Sequence, residues 1–211
     1  MNKTKIEWCD YTWNPIVGCK RGCPYCYAQK IHHRFHPNIP FNQISNWDER
    51  LEQPLRVKKP SRIFVGSMSD IEYWSLAQMN NVLNIIKQCP QHTFLFLTKN
   101  GEVYYKYEFP QNCWFGVTSL NERYIFKVRK VNVFNIRFLC IEPLLMKWTG
   151  YRLNSYIDWI IIGGLTPKPV HKTEWVECIL KEADRLKTPV FIKHNVHYPQ
   201  IRQEFPWGQG D

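Results

Sequence analysis

Seven short runs rich in Ile, Val, Phe and Trp punctuate the chain, at residues 13–17, 62–66, 93–97, 114–117, 137–141, 159–163 and 189–193. They are nearly continuous in apolar character instead of alternating. That is the pattern of strands covered on both faces, hence of a parallel sheet wrapped by helices. Several of the intervening segments carry helical spacing. Residues 76–89 place Leu76, Met79, Val82, Leu83 and Ile86 on one stripe, and residues 173–186 do the same with Val176, Ile179, Leu180, Ala183 and Leu186. Thr173 is expected to cap the second helix, with Glu174 favourably placed in its first turn. Residues 26–35 and 120–131 are predicted as two more helices.

Strand–helix alternation over 211 residues predicts one α/β domain spanning 1–211. A closed barrel of eight units takes about 250 residues, and the return segment 146–156 is short and carries Gly150. The expected architecture is therefore an open, partial parallel β/α barrel of roughly six strand–helix units. Residues 36–59, polar and proline-punctuated, read as a surface excursion able to touch substrate, and 198–211 as a loosely held tail.

The chemistry concentrates at Cys19, Cys23 and Cys26, a C-x3-C-x2-C triplet with Tyr25 directly before its third thiol. A loop this short lets three thiolates take three irons of a four-iron cluster and leaves the fourth iron open. Tetrahedral zinc usually draws its ligands from separated pairs. His32 and His33 lie close enough in sequence to supply a zinc ligand, so a structural zinc site is the alternative reading.

The triplet with its aromatic resembles the signature of the radical S-adenosylmethionine (SAM) superfamily. Blocks at 6–15, 66–70, 97–99, 114–117, 142–145 and 160–164 resemble a phage-associated, largely uncharacterised branch of it. The resemblance implies a 4Fe-4S cluster on Cys19, Cys23 and Cys26 that binds SAM. One electron from a flavodoxin- or ferredoxin-type donor would then release methionine and a 5'-deoxyadenosyl radical, which takes hydrogen from a substrate. Two departures stand out. The branch often has a longer interval between its first two cysteines, and the superfamily's two glycines and glutamate after the second strand are here Ser67, Met68, Ser69 and Asp70.

Chemistry in parallel barrels sits where strands end, and the residues following these runs form a polar rim. Contacts to SAM are implied for Tyr25, Ser67, Ser69, Asp70, Thr118, Glu142, Gly163 and Gly164. Lys99, Glu142, Lys193 and His194 are candidates for holding substrate or the SAM carboxylate. For catalysis the candidates are Cys140, Lys99 and Glu142, with Cys140 as a hydrogen-atom donor and simple packing as its competing role. Lys20 and Arg21 would offset cluster charge or receive the electron donor.

A formal charge of +10 and 15% aromatic residues suit a nucleic acid or other polyanion as substrate or partner. No run approaches the ~20 apolar residues of a membrane span, and the first residues lack a signal core. A cytoplasmic location follows as an expectation, in which the eight cysteines stay reduced. Cys9, Cys89, Cys113 and Cys178 are expected to be mostly small buried hydrophobes. Two further readings remain open: a zinc- or cluster-stabilised nucleic-acid-binding protein without catalysis, and a degenerate barrel that keeps the cluster as a staple or redox sensor.

Overall fold

The computed structural model describes residues 1–120, 135–148, 153 and 156–206. The chain divides into two compact units, one of residues 1–98 with 106–114 and the other of residues 99–105 with 115–211. Each is of the α/β class.

The first unit contains β1 (Asn2–Lys3), β2 (Tyr11–Trp13), β3 (Ile16–Val17), α1 (Tyr27–Phe35), β4 (Ser45–Asn46), β5 (Arg62–Val65), α2 (Leu76–Lys87) and β6 (Thr93–Thr98). Strands β2, β5 and β6 are parallel neighbours in that order, with Trp13 beside Val65 and Val65 beside Phe96, while β1 pairs antiparallel with β2. Residues on both faces are buried, as the continuous apolar runs require: Ile63, Phe94, Leu95 and Phe96 are fully enclosed. Met79, Val82, Leu83 and Ile86 of α2 are buried as their spacing predicts, whereas Leu76, expected on the same stripe, is the first helical residue and lies exposed; Ser75 and Gln78 form a reciprocal capping box at the helix start.

One predicted strand, 13–17, is broken. Pro15 has no N–H for the ladder, so β2 stops at Trp13, and Ile16 and Val17 pair antiparallel with Asn46 and Ser45 instead. The segment 36–59 is thereby docked: Trp47 N–H donates to Pro15 O (2.8 Å), and the Trp13 indole donates to Arg50 O (2.8 Å).

The second unit carries β7 (Cys113–Thr118, from Phe115 onward), β8 (Arg137–Ile141), β9 (Trp159–Ile162), α3 (Thr173–Leu186) and β10 (Val190–Ile192), with β7 through β10 parallel in sequence order. Leu139, Ile141, Ile160 and Ile162 meet Val176, Ile179 and Ala183 of α3 in one core. Gly116 is required there, because a Cβ would lie 2.2 Å from the Phe138 ring. Thr173 does not cap α3. It is the first helical residue, and Lys172 stands at the cap position with no side-chain bond. Residues 202–204 of the expected tail lie against β10, with Ile192 N–H on Arg202 O (2.7 Å) and Glu204 N–H on Val190 O (3.0 Å). The helix predicted over 120–131, Gly150 and residues 207–211 lie outside the described residues.

Candidate functional site

The cysteine loop is anchored before its first thiol. Gly18 sits at φ +113, donates its N–H to Met68 O (3.0 Å) and bridges Ser69 in parallel fashion. A Cβ there would lie 2.3 Å from Gln43 O, so only glycine fits. Cys19 N–H then donates to Phe41 O (2.8 Å). Gly22, at φ +67 with nothing within 4 Å of a built Cβ, turns the loop in open space. Cys26 closes it as the N-cap of α1: its Sγ accepts the Gln29 N–H at 3.4 Å and its own N–H donates to Cys23 O at 3.1 Å.

Arg21 turns back from this loop. It pairs with Glu72 and, at 3.8 Å, with the Asp70 carboxylate, and its guanidinium lies 6.0 Å from the Tyr73 ring. Asp70 is buried, accepts the Thr98 hydroxyl at 2.5 Å and caps the turn over Ile71–Tyr73 through Glu72 N–H at 3.1 Å. Ser67 exchanges hydrogen bonds with the Asn14 amide (3.0 and 3.1 Å), and Ser69 Oγ accepts the Trp74 indole N–H (3.1 Å). Asn14 also takes Met68 N–H at 3.0 Å, and Tyr27 donates its hydroxyl to Ser67 O at 2.8 Å. The hydroxyls and carboxylate expected to meet SAM are thus built into the wall behind the loop. Asn14 was missed by sequence reasoning; the available signal was the Asn-Pro pair that ends β2. Tyr25 is half-buried beside its cysteines.

The three thiols are free and partly buried, and both ends of their loop are held by backbone hydrogen bonds, so the donor set suits a thiolate-bound iron–sulfur group. Burial, with Asp70 and the two neighbouring thiols adding repulsion, pushes the Cys19 thiol up to about 11. A metal would have to displace that proton on binding. Among the described residues no three His, Cys, Asp or Glu side chains are gathered around a single-ion position. His32 is buried, with Nε2 2.9 Å from Ile39 O and its ring against Phe41, which is a packing role. His33 is exposed and lines, with Cys19, Lys20 and Gln29, a cavity of about 440 Å³.

The second unit has a cluster of its own. Lys193 pairs with Glu142, whose other oxygen lies 3.9 Å from the Cys140 thiol. Cys140 is wholly buried, and burial pushes its thiol well above the ordinary range, with Glu142 adding to the rise and Lys193 and Lys99 opposing it. The space left by Gly163 is filled by Glu142, since a Cβ would lie 2.5 Å from its carboxyl carbon. Gly164 exchanges both backbone groups with the Asn195 amide, at 3.1 and 2.9 Å. Thr118 ends β7 half-buried, and His194 opens a short turn with Nδ1 3.5 Å from the Gln203 amide.

Residues 3–204 match a family described as a protein of unknown function, DUF5131, and the chain belongs to that family. No curated protein and no solved structure matches it. This match corrects the expected membership of the radical SAM superfamily and of its phage-associated branch: the family model that spans nearly the whole chain is DUF5131, and its description carries no activity or cofactor. Any function must be argued from the residues themselves. Among the described residues, no helix is long and apolar enough to cross a membrane.

Proposed function

We propose that this DUF5131 member is an enzyme that carries a 4Fe-4S cluster on Cys19, Cys23 and Cys26 and cleaves S-adenosylmethionine reductively, acting on an anionic substrate such as a nucleotide or nucleic acid. The observation that carries the proposal is the loop at residues 19–26: three free thiols between a Gly18 anchored to Met68 and Ser69 and a helix that starts on Cys26. Three thiolates leave one iron for a ligand, and a cluster so placed would supply the electron that breaks the sulfonium bond.

The chain's own contribution is position and charge. Anchoring both ends of the loop spares most of the ordering cost when metal binds. Arg21, already set between Asp70 and Glu72, places a cation beside thiolates that must be ionised together. An ammonium group arriving at Asp70 would compete with Arg21 for its outer oxygen, 3.8 Å away. That would make the Asp70 carboxylate a recognition group as well as a turn cap. In the second unit, Lys99 and Lys193 beside one Glu142 leave a net positive charge suited to a phosphate or carboxylate. An open β/α barrel and a cytoplasmic setting, where the thiols stay reduced, belong to the same reading.

The test is anaerobic reconstitution. Near four irons and four sulfides per chain, and 5'-deoxyadenosine on reduction with dithionite in the presence of SAM, are expected, with both lost in Cys19→Ala/Cys23→Ala/Cys26→Ala. A cluster that never cleaves SAM refutes the enzyme. Zinc in place of iron, together with salt-sensitive nucleic-acid binding, would establish the non-catalytic reading in its stead.

A further inference from the structure

Helix α1 leaves an unusual surface beside the cysteine loop. At about 100° per residue, its nine residues sort into rows around the axis. Ala28 and His32 face inward and are buried. Tyr27, Ile31 and Phe35 fall on one adjoining row, and 50%, 45% and 66% of their surfaces stay open. Lys30 and Arg34 form the next row, with the Arg34 guanidinium 5.6 Å from the Phe35 ring, and His33 follows at the rim of the cavity that also holds Cys19 and Lys20. The helix carries no acidic residue. Three large apolar side chains at i, i+4 and i+8 are more than a surface helix normally leaves open, and a basic row beside them gives the apolar centre and polar rim of a protein interface.

We infer that the exposed face of α1 docks an acidic one-electron carrier protein. The inference rests on the proposed cluster function and names its partner. Charge complementarity chooses the occupant. A second copy of a chain of net charge +10 would set one basic row against another; the unbroken apolar row with Ile31 at its middle suits an apolar protein patch, and nucleic acid, for which Tyr27 and Phe35 offer faces, is the competitor that the test excludes. Position supplies the redox role. The helix begins one residue after Cys26 and is only about 14 Å long, so a carrier seated on it lies close to all three thiols. Arg21 is taken up by Asp70 and Glu72, which leaves Lys20, Lys30 and Arg34 to meet the partner's carboxylates.

The experiment measures binding of a purified flavodoxin, the acidic probe, to the full chain with and without reconstituted iron, by calorimetry at low and high salt. It also measures 5'-deoxyadenosine formation driven by the reduced flavodoxin or by dithionite. Ile31→Glu/Phe35→Glu should weaken flavodoxin binding by about tenfold or more and slow flavodoxin-driven turnover to match, with dithionite-driven turnover, iron content and helical circular dichroism as in the wild type. Lys30→Glu/Arg34→Glu should do the same and flatten the salt dependence. Unchanged affinity in both variants, or absence of binding to the wild type at low salt, overturns the docking face, as does equal competition by single-stranded nucleic acid or anionic vesicles. If flavodoxin binds while dithionite-reduced protein never cleaves SAM, the docking face stands and the catalytic reading falls.

Discussion

Replacing Gly18 with alanine tests whether the anchor before Cys19 is what the geometry says it is. At φ +113 an L-residue is strained by about 1–3 kcal/mol. The new methyl would also lie 2.3 Å from Gln43 O and 3.0 Å from Phe41 O, so Gln43 O must retreat by about 0.7 Å (3.0 − 2.3) merely to reach the second distance. That retreat pulls on the Cys19 N–H bond to Phe41 O, itself 2.8 Å long, whose loss costs a further ~0.5–1.5 kcal/mol. A total near 2–4 kcal/mol follows. With an m-value of about 2 kcal/mol/M in urea, the unfolding midpoint should fall by ~1–2 M, and iron retained after reconstitution should drop. Gly22→Ala is the control. At φ +67 with open space around it, it carries only the left-handed penalty of about 1–2 kcal/mol. Equal midpoints for the two variants, with equal iron content, would refute the steric argument.

Thr98→Val keeps shape but removes the hydroxyl that Asp70 accepts at 2.5 Å; a loss of ~1.5–3 kcal/mol is expected for a bond to a buried carboxylate, read as a lowered urea midpoint. Lys193→Met leaves Glu142 beside a buried thiol without its cation. About 1–3 kcal/mol should be lost, and Glu142→Gln in the same chain should recover part of it, a double-mutant cycle being the measure. Burial pushes the Cys113 and Cys140 thiols well above the ordinary thiol range near 9. The folded state therefore holds these protons more tightly, and stability in the metal-free protein is fully present below about pH 9 and lost as pH rises beyond it. Urea midpoints from pH 8 to 10.5 should fall, and Cys113→Ala/Cys140→Ala should flatten the decline.

Most strands were legible because burial on both faces leaves nothing but apolar residues, and 62–66, 93–97 and 137–141 recur with ends shifted by no more than a residue. The split of 13–17 was written in Pro15, whose missing donor outweighs the hydrophobic run around it. The cap of α3 failed for a local reason: Thr173 already has helical geometry, and Lys172 takes the extended position. At the site, the cysteine triplet was readable from spacing and residue type. The fixed state of Ser67, Ser69 and Arg21 was not, since Asn14, Trp74 and Glu72 reach them only through folding. Gly163 and Gly164, implied SAM contacts, lie against Glu142 and Asn195, which spacing along the chain does not reveal.

Backbone hydrogen bonds point at Cys26 Sγ, from Gln29, and at the Cys19 thiol, from Arg21. A hydrogen bond to a ligating sulfur withdraws electron density and raises the reduction potential of whatever it ligates. In the proposed holoprotein the irons held by Cys19 and Cys26 would both feel this withdrawal. The backbone that turns the loop and starts α1 would then make the bound group easier to reduce.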